Sequence, residues 1–106
     1  MSTATIAETL AAAARDRAAV TTRASAEHGL EYLVAGRPFA VLEADGLAAS
    51  FGLSTAVAAA AVRTPDVEPS GRGAGWVTLR PTRLDSPAVD RLNAWFDSAR
   101  RLAEGA

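Results

Sequence analysis

The middle of the chain alternates apolar and polar residues with the period of a β-strand. This alternation predicts strands over residues 30–34, 39–42 and 47–51. Gly36-Arg37-Pro38 interrupts the pattern as a tight turn. Asp45-Gly46 is typical of a hairpin, because both residues tolerate a positive φ. Together these signals predict an antiparallel β-meander.

Two helices are predicted in the first two thirds of the chain. Thr5-Ile6-Ala7-Glu8 has the spacing of a capping box and begins a helix that we expect to end near Arg17. Ser54 can cap a short alanine-rich helix over residues 55–63, and Pro65 ends it.

The strongest helical pattern lies at the C-terminal end. Ser86-Pro87 supplies a capping hydroxyl and a proline suited to the first turn. Apolar residues then recur at helical spacing through Leu102, and Asp97 and Arg101 can pair on the solvent side. This amphipathic helix needs a sheet against which to bury its apolar face.

The remaining segments complete the predicted fold. Residues 19–25 are rich in β-branched side chains and favour a strand, although a first helix extending through Ala26 is an alternative. Residues 64–75 are expected to form a long exposed loop, and Trp76 opens a final strand that Pro81 ends. The predicted class is α+β, with about four to five strands flanked by an N-terminal, a short middle and a C-terminal helix.

Composition limits the classes of protein that fit. The 106 residues suit a single domain over 1–106, and 49% hydrophobic residues favour a folded chain. The net charge of −1 argues against a broad electrostatic contact with nucleic acid or a membrane. No apolar run approaches the roughly 20 residues that span a bilayer, and no signal-peptide pattern opens the chain, so we expect a cytoplasmic protein.

No residue pattern nominates a catalytic, cofactor or metal site. The glycines at 71, 73 and 75 precede a strand, whereas a nucleotide-binding loop follows a strand and opens a helix. The chain has no cysteine, and its single histidine, His28, lies beside a turn glycine. Glu27, Glu31 and Glu43 fall where solvated edges and turns are expected. An enzyme is therefore the less favoured interpretation, and no cofactor is expected.

Arginines supply the only candidate binding residues. All 11 basic residues are arginine, and several of them gather around the Trp76 strand. Guanidinium groups beside an aromatic ring can bind an anion, a nucleic-acid backbone or an acidic partner. Trp76 is also interpreted as a core residue that anchors its strand. The candidate binding set is Arg37, Arg72, Trp76, Arg80 and Arg83.

The segment from Glu31 to Leu47, EYLVAGRPFAVLEADGL, resembles the small YjbR/MmcQ-like and TfoX N-terminal domains. In those families a Gly-Trp-Val strand and a terminal amphipathic helix follow, as Gly75-Trp76-Val77 and residues 87–102 do here. The resemblance implies an α+β domain with a binding role, described in some members as DNA binding or competence regulation. The chain is also similar to a small luciferase-like domain family, but it lacks that family's histidines at residues 40–43.

Three hypotheses about function follow. The first is a non-catalytic binding or regulatory module whose partner is a protein or a second copy, or a nucleic acid, although the net charge does not support the latter. The second is a small-molecule binder or small enzyme with a polar pocket between sheet and helices that contains His28 or converging carboxylates. The third is a structural subunit whose apolar sheet face is covered by a second copy of itself.

Overall fold

A computed structural model describes residues 5–25, 27 and 29–105 and confirms the predicted α+β class. The described residues form three helices and six strands, one strand more than the upper expectation. In chain order these elements are α1 (Ile6–Arg15), β1 (Val20–Ser25), β2 (Gly29–Val34), β3 (Arg37–Leu42), β4 (Ala49–Gly52), α2 (Thr55–Ala61), β5 (Val67–Pro69), β6 (Trp76–Leu79) and α3 (Ser86–Gly105).

All six strands join one antiparallel sheet in the order β1-β2-β3-β4-β6-β5. The first four strands are the predicted meander, and β6 adds to it with β5 as the outer partner. Residues 20–25 are a strand, so the alternative of a longer first helix is wrong for them; Ala26 lies outside the described residues.

The helix caps follow the local sequence closely. The Thr5 side chain accepts a hydrogen bond from the Glu8 amide, and the Glu8 carboxylate accepts one from the Thr5 amide, which is the predicted capping box. Ser54 caps α2 as predicted. At α3 the cap is different, because the Asp85 carboxylate rather than the Ser86 hydroxyl accepts a hydrogen bond, from the Ala88 amide.

The prediction of a continuous loop over residues 64–75 is wrong in part, because Val67–Pro69 form strand β5. Val67, Glu68 and Pro69 pair with Leu79, Thr78 and Val77. Asp66 precedes them with a φ of 68°, and its carbonyl accepts a hydrogen bond from the Arg80 amide. A three-residue strand ending in proline is too short to show an alternating pattern.

The predicted strand over residues 47–51 begins later than expected. It starts at Ala49, and the Leu47 side chain is 62% exposed outside the strand. The Asp45-Gly46 turn forms, with a φ of 73° at Gly46, but it lies within a longer connection because the Glu43 amide bonds to the Ala48 carbonyl. The Asp45 carboxylate accepts a hydrogen bond from the Leu47 amide, and this bond helps to hold Leu47 outside the sheet.

An aromatic cluster joins α3 to one face of the sheet. The Phe96 ring meets Tyr32 edge-on at 5.4 Å and Phe39 at 5.0 Å, and all three side chains are buried. Phe39 is the extra residue of a β-bulge, since Tyr32 pairs with Ala40 and Leu33 pairs with Pro38. The bulge therefore adds a second aromatic ring to the face that α3 covers.

A charged cluster joins α1 to α3 at the rim of this core. The Asp97 carboxylate pairs with Arg17 at 3.0 Å, with Arg100 at 2.6 Å and with the predicted partner Arg101 at 3.1 Å. Hydrogen bonds from Arg100 and then Arg17 lower the pKa of Asp97 from 3.8 to about 2. The ionised carboxylate is therefore stabilised in the folded state.

We predict that Asp97→Asn lowers the free energy of unfolding by about 1–2 kcal/mol at pH 7. Because the folded pKa lies below the unfolded value, the contribution is complete above about pH 4 and is lost as the pH falls towards 2. Urea denaturation of both proteins at pH 7 and pH 2.5 measures this difference. A gap of the same size at both pH values contradicts it.

Candidate functional site

The five predicted binding side chains lie in three separate places. Arg72 and Arg80 line one groove, whereas Arg37 and Trp76 line an apolar recess beside the last turns of α3. Arg83 lies at a third place, beside Leu47 and Leu84. The structure therefore brings Arg72 and Arg80 together in one groove and Arg37 and Trp76 together in another, and it does not join the five side chains into one site.

The two faces of the sheet differ in character. Tyr32, Ala40, Phe51 and Val77 are successive cross-strand partners, and they share one core with residues of all three helices. One register position away, a second row of partners crosses the opposite face. Five of its six side chains are polar: Arg23, Glu31, Val41, Ser50, Thr78 and Glu68. The helices thus cover the apolar face and leave a polar one.

A hydrogen-bonded network occupies the centre of this polar face. The Ser50 hydroxyl donates to Glu43 at 2.5 Å and lies 2.8 Å from the Thr78 hydroxyl. Because Ser50 gives its one proton to Glu43, Thr78 is the donor in the second bond. Arg72 Nη2 donates to both Glu43 carboxylate oxygens, at 3.2 and 3.3 Å. Ser50 is the one polar residue that is buried within the described part of the chain, and its partners satisfy it.

The network fixes the glycine-rich segment, residues 71–75, over the polar face. Arg72 belongs to this segment, and its side chain is only 20% exposed. Gly75 has a φ of 82°, and a Cβ there would lie 2.3 Å from the Leu53 carbonyl oxygen. Of the three glycines, Gly75 is the one that a close backbone approach requires, since a Cβ at Gly71 would meet nothing within 4 Å.

Trp76 is not part of the buried core, which corrects the interpretation that it anchors its strand. Val77 and Leu79 are the buried residues of β6, and the alternation of a strand places Trp76 on the opposite side. The Trp76 ring lies over its cross-strand partner Gly52, where a Cβ would come within 2.9 Å of Cε2. Gly52 makes room for this half-buried ring.

The arginines of the polar face are neutralised by carboxylates. Arg72 pairs with Glu43 at 3.2 Å, Arg80 with Asp45 at 2.8 Å, and Arg23 with Glu31 at 2.8 Å. Glu31 and Glu43 were both expected at solvated edges or turns, but their side chains are only 13% and 22% exposed. The polar face therefore carries mixed charge rather than a positive patch.

Three further side chains have a pKa that is shifted away from pH 7. Burial raises the pKa of Tyr32 above 10.0. The hydrogen bond from the Leu47 amide, followed by that from Arg80, lowers the pKa of Asp45. The hydrogen bond to Asp97, followed by that to Glu104, raises the pKa of Arg100. None of these three groups exchanges a proton near pH 7.

Neither a metal-binding cluster nor a membrane-spanning helix is found among the residues that the structure describes. His28, which the small-molecule hypothesis places in a pocket, lies outside the described residues. Across residues 5–25, 27 and 29–105, no group of three histidine, aspartate or glutamate side chains could hold a metal ion. The same part of the chain contains no helix with the length and hydropathy needed to cross a membrane.

The two edges of the sheet are unequal. β5 forms one edge with three residues and ends at Pro69, which has no amide to donate. β1 forms the other edge with six residues, contains no proline and is exposed from Thr21 to Ala24. Every second residue of an edge strand directs its N–H and C=O away from the neighbouring strand. No other described strand pairs with these groups of β1.

The chain matches no protein-family model, no characterised protein and no solved structure. The resemblance to the YjbR/MmcQ-like, TfoX N-terminal and luciferase-like domains therefore stays a prediction.

Sequence reasoning missed Ser50 and the role of Glu43. Ser50 stands between Ala49 and Phe51, and this single polar residue between buried neighbours was the available signal. Ser50 contacts Thr78, which lies 28 residues further along the chain, and Glu43 contacts Arg72, which lies 29 residues further along. No local pattern connects positions so far apart.

We predict that Arg72 and Glu43 are energetically coupled by about 1 kcal/mol, because both side chains are mostly buried. A double-mutant cycle with Arg72→Ala and Glu43→Gln, followed by urea denaturation, measures this coupling. Arg80→Ala and Asp45→Asn form the matched control cycle, since the coupling of that exposed, solvent-screened pair should be clearly smaller. Equal couplings in the two cycles would contradict the prediction.

Proposed function

We propose that the protein is a non-catalytic interaction module that accepts a β-strand from a protein partner along β1. The observation that carries the proposal is the contrast between the two sheet edges. β5 is short and ends in Pro69, whereas β1 is long, proline-free and exposed. Sheets normally protect such edges, because unpaired backbone groups are a template for another strand.

The side chains of β1 suit an added strand. Thr21 and Thr22 are β-branched and favour extended backbone. Arg23 is the only charged residue of β1, and Glu31 on the neighbouring strand neutralises it. The usual protection of an edge by proline or unpaired charge is therefore missing from this strand.

A binding role is favoured over catalysis by the character of the interior and the polar face. The space between sheet and helices is filled by apolar core residues, so a polar pocket there has no support among the described residues. The Arg72 network is occupied by its own internal partners. We further propose that this binding module is of the YjbR/TfoX-like type and is located in the cytoplasm.

The strand-accepting role can be tested by selecting random peptides of about twelve residues against the protein. We expect the selected peptides to protect β1 amides from hydrogen exchange. Thr21→Pro and Thr22→Pro form a matched pair, because one removes an outward amide and the other removes an amide bonded to β2. The variant that keeps wild-type thermal stability should lose the peptide. The proposal fails if that stable variant binds as well as wild type.

A nucleic-acid ligand is disfavoured by the paired arginines. We predict no binding of mixed-sequence DNA or RNA at about 50 mM salt, because Arg72 and Arg80 would have to leave Glu43 and Asp45. Fluorescence anisotropy with labelled oligonucleotides measures this. Binding that weakens steeply with salt and is reduced by Arg72→Ala or Arg80→Ala would reverse the conclusion.

A further inference from the structure

We infer that the strand accepted at β1 is the β1 strand of a second copy, paired antiparallel about a two-fold axis at Thr22. This inference rests on the proposed function, since it names the partner of the same edge. The pairing would join two six-stranded sheets into one continuous sheet of twelve strands.

The faces of β1 restrict the possible registers. Thr22 is the partner of Tyr32 on the helix-covered face, and Arg23 is the partner of Glu31 on the polar face. Residues directly opposite each other in an antiparallel pair lie on the same face of the sheet. In a symmetric pair, one residue of β1 must therefore lie directly opposite its own copy, and the two-fold axis passes between the two.

The number of residues that pair and the position of Arg23 together select Thr22 as the residue that lies opposite its own copy. An axis at Thr21 or Ala24 would pair only three residues of each strand, because β1 runs from Val20 to Ser25. An axis at Arg23 would place two guanidinium groups directly opposite each other, which is destabilising. An axis at Thr22 pairs Val20 with Ala24 of the second copy and places Thr21 opposite its Arg23.

The Thr22 register also gives favourable neighbours. Threonines opposite each other form a stabilising cross-strand pair. Arg23 stays beside Glu31 of its own sheet, with an ion pair of 2.8 Å, so no charge is left unbalanced at the interface. The register therefore satisfies the outward backbone groups of β1 and keeps the two Arg23 residues in diagonal rather than directly opposite positions.

The opposite edge explains why association would stop at two copies. A second open edge would let sheets add end to end into a filament. β5 is only three residues long and ends in Pro69, so it offers little to a further strand. One open edge and one protected edge favour a closed pair.

The expected association is weak, because a single strand pair buries less than the ~1,200 Å² of a typical stable interface. We expect a dissociation constant of about 10 µM to 1 mM. A covalent trap is therefore the suitable test, and the absence of cysteine from the chain allows single-cysteine variants without background.

Thr22→Cys should form a disulfide-linked dimer under mild oxidation. In the proposed register the two Cα atoms at position 22 lie about 4.5–5.5 Å apart, within the range of a disulfide. Thr21→Cys and Arg23→Cys are the matched controls. Residue 21 lies opposite residue 23 of the second copy, so the Cα atom of each of these cysteines is more than about 7 Å from the same atom in the second copy. We expect about tenfold more linked dimer for Thr22→Cys, measured on non-reducing gels at about 0.5 mM protein.

Sedimentation equilibrium of the wild-type chain supplies the second measurement. A mass that rises from monomer towards dimer between about 10 µM and 1 mM supports the inference. A monomeric mass throughout, or equal crosslinking of the three variants, overturns it. If β1 still binds selected peptides in that case, the strand-accepting function stands and only the identity of the partner is wrong. Preferential linking of Thr21→Cys or Arg23→Cys overturns the Thr22 register.

Discussion

The contact between α3 and the sheet is the interaction on which the rest of the structure depends. Phe96 packs edge-on against Tyr32 and Phe39, and through them α3 covers the centre of the sheet. Among the described elements the helices pack mainly over β2, β3, β4 and β6, so both edge strands, β1 and β5, lie at the margins of the covered face. The proposed function depends on the difference between these two edges, because β1 has six residues without proline and β5 has three and ends in Pro69.

The polar face illustrates how a binding surface can be misread from residue type alone. Arginines near an aromatic ring favour an anion site only when their charge is available. Here Arg72 and Arg80 each have a carboxylate partner, and Arg72 is held by a network that reaches the buried Ser50. We therefore interpret this network as a support for the glycine-rich segment rather than as a ligand site.

Elements with a long or regular pattern could be predicted from the sequence, and short or long-range features could not. The meander, the Thr5 capping box and the C-terminal helix have local signals, and the structure confirms them. β5 has only three residues, so it showed no periodicity. Glu43 pairs with Arg72 and Asp97 with Arg17 across 29 and 80 residues, and such pairs arise only when distant elements pack together.

The most direct test of the account is amide hydrogen exchange along β1 at two protein concentrations. If the edge accepts a second strand, the outward amides of residues 20–25 should exchange slowly at about 1 mM and rapidly at about 10 µM, while the amides of β3 stay protected at both. Outward amides of β1 that exchange equally fast at both concentrations would contradict the claim that this edge pairs with a second copy.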